Sequence, residues 1–160
     1  MYGIGRAQQV LMTTQLEMHR TQRLERAAQR VMDSLDRQDE RLNLHYSTQR
    51  KQERHELRTM AVVVLPAIAV PAENPPASVA AAQPPAVAIE PQRIDVWVRN
   101  VSPNGLSFIY PQEFPHKKLI VGLNPSPAAT AWFHAEVMRV RKALDGFWEY
   151  GVAFRERAAL

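Results

Sequence analysis

Four basic residues stand close together in the first half of the sequence, at Arg50, Lys51, Arg54 and Arg58. A guanidinium group presents a planar fork of N–H donors, which fits two oxygens of a phosphodiester and equally fits the O6 and N7 acceptors of guanine. Arg50 and Arg54 are four residues apart, and a guanine dinucleotide would offer both kinds of acceptor. A short basic cluster is also typical of ordinary solvated surface, and this alternative stays open on the residues alone.

A second polar group lies at Asn100–Gly105, which has the sequence NVSPNG. Asn, Ser, Pro and Gly favour turns for simple backbone reasons, so this segment predicts a turn between two strands. The amide oxygen of Asn100 and the hydroxyl of Ser102 can also accept hydrogen bonds from a guanine edge. Gly105 has no Cβ and lets a backbone approach closely.

The elements that must position these residues are short strands. Alternating or β-branched apolar runs predict six of them, at Leu57–Leu65, Ile94–Val101, Leu106–Tyr110, Leu119–Leu123, Trp132–Arg141 and Phe147–Arg155. Asp145-Gly146 predicts a two-residue hairpin turn between the last two strands. Six short strands with no helix between them favour a small antiparallel barrel, because closure removes exposed edges.

A long helix is predicted ahead of the strands. Residues Arg6 to Leu44 contain no proline or glycine and consist mainly of good helix formers, so we assign 1–46 to an N-terminal helix. A four-three spacing of apolar residues, broken only at Gln38, predicts a seam that pairs with a second helix as a coiled coil or homodimer. The alternative is a solvated extension whose charges simply alternate. The seam consists of Leu24, Ala28, Val31, Leu35 and Leu42.

Residues Pro66 to Pro91 are dominated by proline and alanine. Proline lacks a backbone donor and excludes a regular helix or a central strand. We therefore expect 66–91 to be a flexible or polyproline-like insertion in a barrel domain that covers 47–160.

The composition argues against several classes of protein. The chain has no cysteine, so there is no disulfide framework and no thiolate nucleophile, and a cytoplasmic location is expected. The five histidines show no metal-ligand spacing, and no motif places a nucleophile beside a base. We expect no metal, no catalytic residue and no enzymatic activity. No apolar run has the length of a signal peptide or a transmembrane span.

The formal net charge of +4 favours an anionic partner without choosing one. Trp97, Trp132 and Trp148 lie in predicted strands, where aromatic residues usually pack in a core or against a neighbouring strand. Acidic residues also alternate with the arginines. We therefore expect no nucleic-acid partner.

Together, the two polar motifs resemble those of the PilZ domain family, which carries RxxxR before its first strand and (D/N)xSxxG after its second. Here the motifs run from Arg50 to Arg54 and from Asn100 to Gly105. The glycine-containing strand around Gly122 and the segment Gly151–Phe154 match later parts of the family pattern, so the resemblance covers about Gln49 to Arg155.

The resemblance implies a mainly β protein, with a six-stranded antiparallel PilZ-type barrel that is preceded here by the long helix. It also implies that the barrel binds cyclic di-GMP in bacterial signalling. It implies that Arg50 and Arg54 contact phosphate and the Hoogsteen edge of guanine, and that Asn100 and Ser102 hold a base. Gly105 completes the ligand-binding set, and no cofactor is expected.

Two departures from the family pattern affect the expected binding. Asn100 stands where aspartate is common in the family, so the site has one negative charge less against the guanine donors and weaker binding is expected. Gln49 precedes Arg50, whereas relatives that bind a stacked pair of ligands favour a further arginine there. We therefore expect one ligand per site.

We interpret the chain as a receptor in which cyclic di-GMP restrains the joint between the helix and the first strand. The helix would then be presented differently to an unidentified protein partner. One alternative is a PilZ-fold interaction or dimerisation module that binds no nucleotide. Another is a basic barrel that binds single-stranded nucleic acid by stacking and charge.

Overall fold

The computed structural model describes residues 4–46, 55–70, 87–89, 91–124 and 130–159. In these ranges a single α-helix, α1 (Ile4–Tyr46), precedes eight strands. The strands are β1 (His55–Leu65), β2 (Ile68–Val70), β3 (Val87–Ile89), β4 (Gln92–Ser102), β5 (Gly105–Tyr110), β6 (Lys118–Leu123), β7 (Ala131–Lys142) and β8 (Trp148–Arg157).

Six of the strands close into an antiparallel barrel in the order β1-β4-β5-β8-β7-β6. The barrel closes where β1 pairs with β6, with Val63 opposite Val121. Closure leaves no unpaired strand edge in the barrel. The predicted fold class, a mainly β protein with a six-stranded antiparallel barrel behind a long helix, is confirmed.

The barrel core is apolar and contains a stack of three aromatic rings. The ring of Tyr150 lies 5.2 Å from that of Phe108 and 4.1 Å from that of Phe114, measured between centroids. The buried Tyr150 hydroxyl accepts a hydrogen bond from the Phe114 amide at 3.0 Å and donates to the Gln112 carbonyl at 3.2 Å. Burial raises the pKa of Tyr150, so the phenol keeps the proton that it donates.

The turn between β7 and β8 has the predicted geometry. Asp145 and Gly146 both have positive φ, at 56° and 80°, and the Phe147 amide donates to the Leu144 carbonyl at 3.1 Å. Two successive residues with positive φ define the type I′ turn, which suits Asp-Gly because glycine has no Cβ to clash. The predicted hairpin is therefore confirmed.

A short ribbon lies at the two ends of the proline- and alanine-rich segment. Here β2 pairs with β3, with Ile68 opposite Ile89 and Val70 opposite Val87. The sequence predicted no strand here. These two short runs are rich in β-branched residues and contain no proline, so they can pair as strands. Residues 71–86 lie outside the described residues, and the flexibility predicted for 66–91 stays a prediction.

The second half of α1 packs against the outside of the barrel. Ala28, Val31, Met32 and Leu35 are buried there, in one cluster with Ile109 of β5 and Phe147. The ring of Trp97 in β4 meets Phe147 edge-on, with 6.0 Å between centroids. The helix is therefore part of the same packed unit as the barrel.

This packing corrects the interpretation of the apolar seam. Ala28, Val31 and Leu35, which the four-three spacing assigned to a second helix, are covered by the barrel of the same chain. Heptad spacing identifies an apolar stripe but does not say which surface covers it. Leu16 and Met18, nearer the N-terminus, are 68% and 54% exposed. The homodimer predicted through the N-terminal helix stays a prediction.

Replacement of Leu35 should test the docking of α1. Leu35→Ala removes a buried side chain, and we expect the free energy of unfolding to fall by about 2–3 kcal/mol. Leu42→Ala is the matched control, because Leu42 is 48% exposed, and its loss should stay below about 0.5 kcal/mol. Urea unfolding measured at two protein concentrations checks both values. Equal losses in the two variants would contradict docking of α1 on the barrel of its own chain, whereas a midpoint that depends on concentration would indicate a dimer.

Candidate functional site

The predicted turn at Asn100–Gly105 joins β4 to β5. Ser102 pairs with Gly105 across the turn, and the Ser102 hydroxyl donates to the Gly105 carbonyl at 3.3 Å. The carbonyl of Asn104 accepts a hydrogen bond from the Phe154 amide of β8 at 2.7 Å. The turn is thus fixed both internally and against a third strand.

A groove of about 320 Å³ opens beside this turn. Its walls come from the β4–β5 hairpin and the β7–β8 hairpin, which are separate in the sequence and are brought together where β5 pairs with β8. Small-molecule sites in proteins typically measure about 300–1,000 Å³, so the groove is at the lower end of that range. The residues that line it are Asn100, Ser102, Asn104, Gly105, Leu106, Ser107, Met138, Arg139, Gly151, Val152 and Ala153.

Asn100 is held in position by a neighbour on the paired strand. Its Oδ1 accepts a hydrogen bond from the Ser107 hydroxyl at 2.9 Å. An amide side chain has two acceptor lone pairs and two donor hydrogens, so this one bond leaves three hydrogen-bonding positions on Asn100. The side chain can therefore be oriented and still meet a ligand.

Gly105 has a packing role that its place in the motif did not reveal. It is buried, and a Cβ at this position would lie 2.0 Å from the carbonyl oxygen of Val152 in β8. Any side chain would push β5 away from β8. The close approach of backbone predicted at Gly105 is made here by the neighbouring strand β8, and its predicted place in the ligand-binding set stays a prediction.

Arg139 is a groove residue that the sequence did not single out. It lies on β7 opposite Gly151 of β8, and its side chain is 46% exposed. Its Nη2 donates to Oε2 of Glu149 at 3.2 Å. An arginine in a strand that contains other charged residues carries no local signal. The pairing of β8 with β5 is what places it beside the Asn100–Gly105 turn.

Glu149 is the acceptor shared by three arginines. Its side chain is fully buried, and Oε1 accepts from Arg99 Nη1 at 2.7 Å. Oε2 accepts from Arg139 and from Nε of Arg141. A buried carboxylate would be costly alone, so these partners are required for its charge to persist.

Arg99 extends this network to the helix. Its side chain is 3% exposed, and Nη2 lies 2.7 Å from Oδ1 of Asp36 and 2.9 Å from Oδ2 of Asp39, both in α1. Burial alone would lower the pKa of Arg99, but the hydrogen bonds to Asp36 and Glu149 and the charge of Asp39 outweigh it and raise the pKa. Arg99 therefore stays charged, and ionic contacts run from the groove through Glu149 to α1.

Arg50 and Arg54 lie outside the described residues, so their predicted contacts stay predictions. The strand that follows them starts beside the groove. His55, the next residue after Arg54 in the sequence, pairs with Val101, and Glu56 pairs with Asn100.

A family model for the PilZ domain matches residues 48–159, which include all six barrel strands and the whole groove. The chain belongs to the PilZ domain family. PilZ domains typically bind cyclic di-GMP as adaptors and are generally not enzymes. No curated protein and no solved structure is similar enough to be matched with this chain.

Other side chains considered from the sequence have structural contacts in this PilZ domain. Trp97 and Trp148 pack against the two apolar clusters, as predicted, and the guanidinium of Arg93 lies 5.6 Å from the ring centroid of Trp132. Over the described ranges, no three His, Cys, Asp or Glu side chains are grouped as metal ligands would be. Within the same ranges, no helix combines the length and apolarity needed to cross a membrane.

The packing role of Gly105 is testable against a second glycine of the same groove. Gly105→Ala should lower the free energy of unfolding by about 2 kcal/mol or more, because the methyl group cannot be accommodated without moving β8. Gly151→Ala should cost less than about 1 kcal/mol, since its Cβ would lie 3.6 Å from Cβ of Arg139, an ordinary contact. Thermal and urea unfolding of both variants provide the comparison. Similar losses would show that Gly105 is not required for packing.

Proposed function

We propose that this PilZ domain is part of a cytoplasmic, non-enzymatic receptor that binds cyclic di-GMP in the groove beside the β4–β5 turn and passes the signal to a protein partner through α1. The observation that carries the proposal is the position of the Asn100–Gly105 motif. It lines the groove next to the start of β1, the strand that directly follows Arg54 in the sequence.

The chemistry of the groove supports a guanine and a phosphate as its occupants. Asn100 offers both donors and acceptors to a guanine edge, and Ser102 adds a hydroxyl. A volume of about 320 Å³ suits one base with its phosphate better than a whole dinucleotide. We therefore assign the rest of the ligand to Arg50 and Arg54, whose forks match phosphate and the Hoogsteen edge.

We assign Arg139 as a third ligand contact. A guanidinium carries five N–H donors, so Arg139 can keep its bond to Glu149 and donate to a phosphate oxygen in the groove as well. The half-exposed position of Arg139 supports this assignment, because Arg99 is buried by its ionic partners and has no access to a ligand.

The same arginine supplies a physical route to the helix. A phosphate bound to Arg139 would add a second anion to the guanidinium that Glu149 already contacts, and Glu149 is also held by Arg99. Arg99 in turn binds Asp36 and Asp39 of α1. Ligand binding would therefore change the charge balance at the contact of Arg99 with Asp36 and Asp39, which fixes α1. A relay needs such a difference between the ligand-bound and ligand-free states.

Calorimetric titration with cyclic di-GMP tests the receptor. The parent should bind one ligand per chain, and Arg50→Ala/Arg54→Ala should weaken binding about 100-fold or more, because two charge-assisted hydrogen-bonding groups are lost. Arg37→Ala/Arg41→Ala is the matched control: both residues are exposed on α1 and four positions apart, so affinity should stay within about twofold.

The other outcomes of this titration are equally informative. No heat and no thermal shift with the parent would favour an interaction module that binds no nucleotide. Equal losses in the two double variants would indicate unspecific attraction by charge. Two ligands per chain would contradict the stoichiometry expected from Gln49, and binding of GTP with similar affinity would contradict the choice of ligand.

Hydrogen exchange of the α1 amides tests the relay. Saturating cyclic di-GMP should change their protection in the parent, and Asp36→Asn/Asp39→Asn should abolish this change while affinity stays within about threefold. Leu35→Ala is the control, because it loosens apolar packing and leaves the ionic contacts in place, so the ligand-dependent change should persist. An unchanged exchange pattern in the parent would exclude the relay.

A further inference from the structure

A second cleft, of about 690 Å³, lies between α1 and the barrel and shares no lining residue with the groove. The helix contributes four arginines to its wall, Arg20, Arg23, Arg26 and Arg30. Its apolar floor is formed by Leu24 and Ala27 of α1 and by Phe147.

The arginines of this cleft are largely uncompensated within the described part of the chain. Arg30 reaches Asp145 at 3.5 Å, with both side chains well exposed, and this is the cleft's one ion pair among those residues. The side chains of Arg20, Arg23 and Arg26 make no hydrogen bond or ion pair to any described residue. The facing barrel residues Pro111 and Gln112 are neutral.

The spacing of these arginines makes their excess charge unfavourable for the free chain. Successive members are three, three and four residues apart, so each lies next to another on the helix surface. Like charges at these spacings destabilise a helix. Further along α1 the pattern is the opposite, because Asp33 and Asp36 pair with Arg58, and Asp36 and Asp39 pair with Arg99.

The shape of the cleft favours a polypeptide over a small molecule. All four arginines are exposed, whereas small-molecule sites bury most of their ligand. From Arg20 to Arg30 the wall extends about 15 Å at 1.5 Å per residue, close to three helical turns. An anionic helix of similar length could contact the whole wall at once.

The floor of the cleft favours a protein segment over nucleic acid. Single-stranded nucleic acid is bound by stacking on exposed aromatic faces, but the aromatic residue here, Phe147, is 2% exposed. Aliphatic groups are accessible instead. Leu144, in the turn beside Asp145, is 53% exposed, and Leu16 lies one turn before Arg20 on α1 and is also exposed.

We propose that this cleft docks an acidic amphipathic helix of a partner protein. Its carboxylates would pair with Arg20, Arg23 and Arg26, and its apolar face would cover Leu24 and Ala27, in the manner of a helix laid in a groove. The proposal identifies a surface for the partner of the proposed relay, and it does not depend on the nucleotide site.

Fluorescence anisotropy with defined peptides tests the docking. The probe is a labelled peptide of about 15 residues, with leucines on one helical face and glutamates elsewhere, and a scrambled peptide of equal composition is its control. Arg20→Gln/Arg23→Gln/Arg26→Gln should weaken binding of the probe about tenfold or more, because three ion pairs are lost.

The matched protein control is Arg37→Gln/Arg41→Gln/Arg157→Gln, which removes the same charge from exposed arginines outside the cleft. It should bind the probe as the parent does, to within about twofold. The cleft variant should remain folded, because it removes the like-charge contacts along the helix.

Three results would overturn the proposal. Equal weakening in both triple variants would attribute binding to overall charge, and equal binding of the scrambled peptide would exclude docking of an amphipathic helix. Tighter binding of a single-stranded oligonucleotide through the same arginines would make the cleft a nucleic-acid surface. Probe binding should be unchanged in Arg50→Ala/Arg54→Ala, so failure of the nucleotide site and failure of the cleft are distinguishable.

Discussion

The carboxylate of Glu149 has no exposed surface, so protein groups must balance its charge. Arg99, Arg139 and Arg141 do so from two other strands of the barrel. Removing one partner of a buried ionic contact typically costs about 3–5 kcal/mol, since the remaining charge is left without compensation. The buried carboxylate thus adds ionic contacts between β4, β7 and β8 to the backbone pairing of the barrel.

The same cluster determines how the helix sits on the barrel. Ala28, Val31 and Leu35 supply an apolar contact, which is favourable but has little directional preference. Asp36 and Asp39 add ionic contacts to Arg99 in the next turns of α1, and such contacts need a particular geometry. Packing thus provides adhesion, while the ionic contacts fix the rotation and register of α1 against the barrel.

The motif residues have separate physical tasks although they are adjacent in the sequence. Gly105 allows β5 to approach β8, Ser102 supports the turn, and Asn100 is oriented by Ser107 beside the groove. This short motif therefore contains both residues that shape the groove and residues that can contact a ligand. Arg139 adds charge to the groove from another strand and connects it with Glu149, so the site and the helix contact share one side chain.

The sequence by itself determined the long helix, the six barrel strands, the hairpin at Asp145-Gly146 and the turn at Asn100–Gly105. These features depend on local properties: proline-free helix formers, apolar alternation with period two, and residues that tolerate positive φ. The match to the PilZ motifs also followed from short, contiguous patterns. That Asn100, Ser102 and Gly105 meet at one groove followed because they share a single turn.

Tertiary structure alone decided which surface covers the stripe of α1, why Gly105 must be glycine, and that Arg139 and Glu149 lie beside the motif. Each of these depends on partners far away in the chain: Ile109 for the helix, Val152 for the glycine. A spacing pattern shows that a set of residues lies on one buried face, but it carries no information about which residues cover that face. The pairing of β8 with both β5 and β7 brings Arg139 beside the motif, and this strand order is set by the packing of the whole chain.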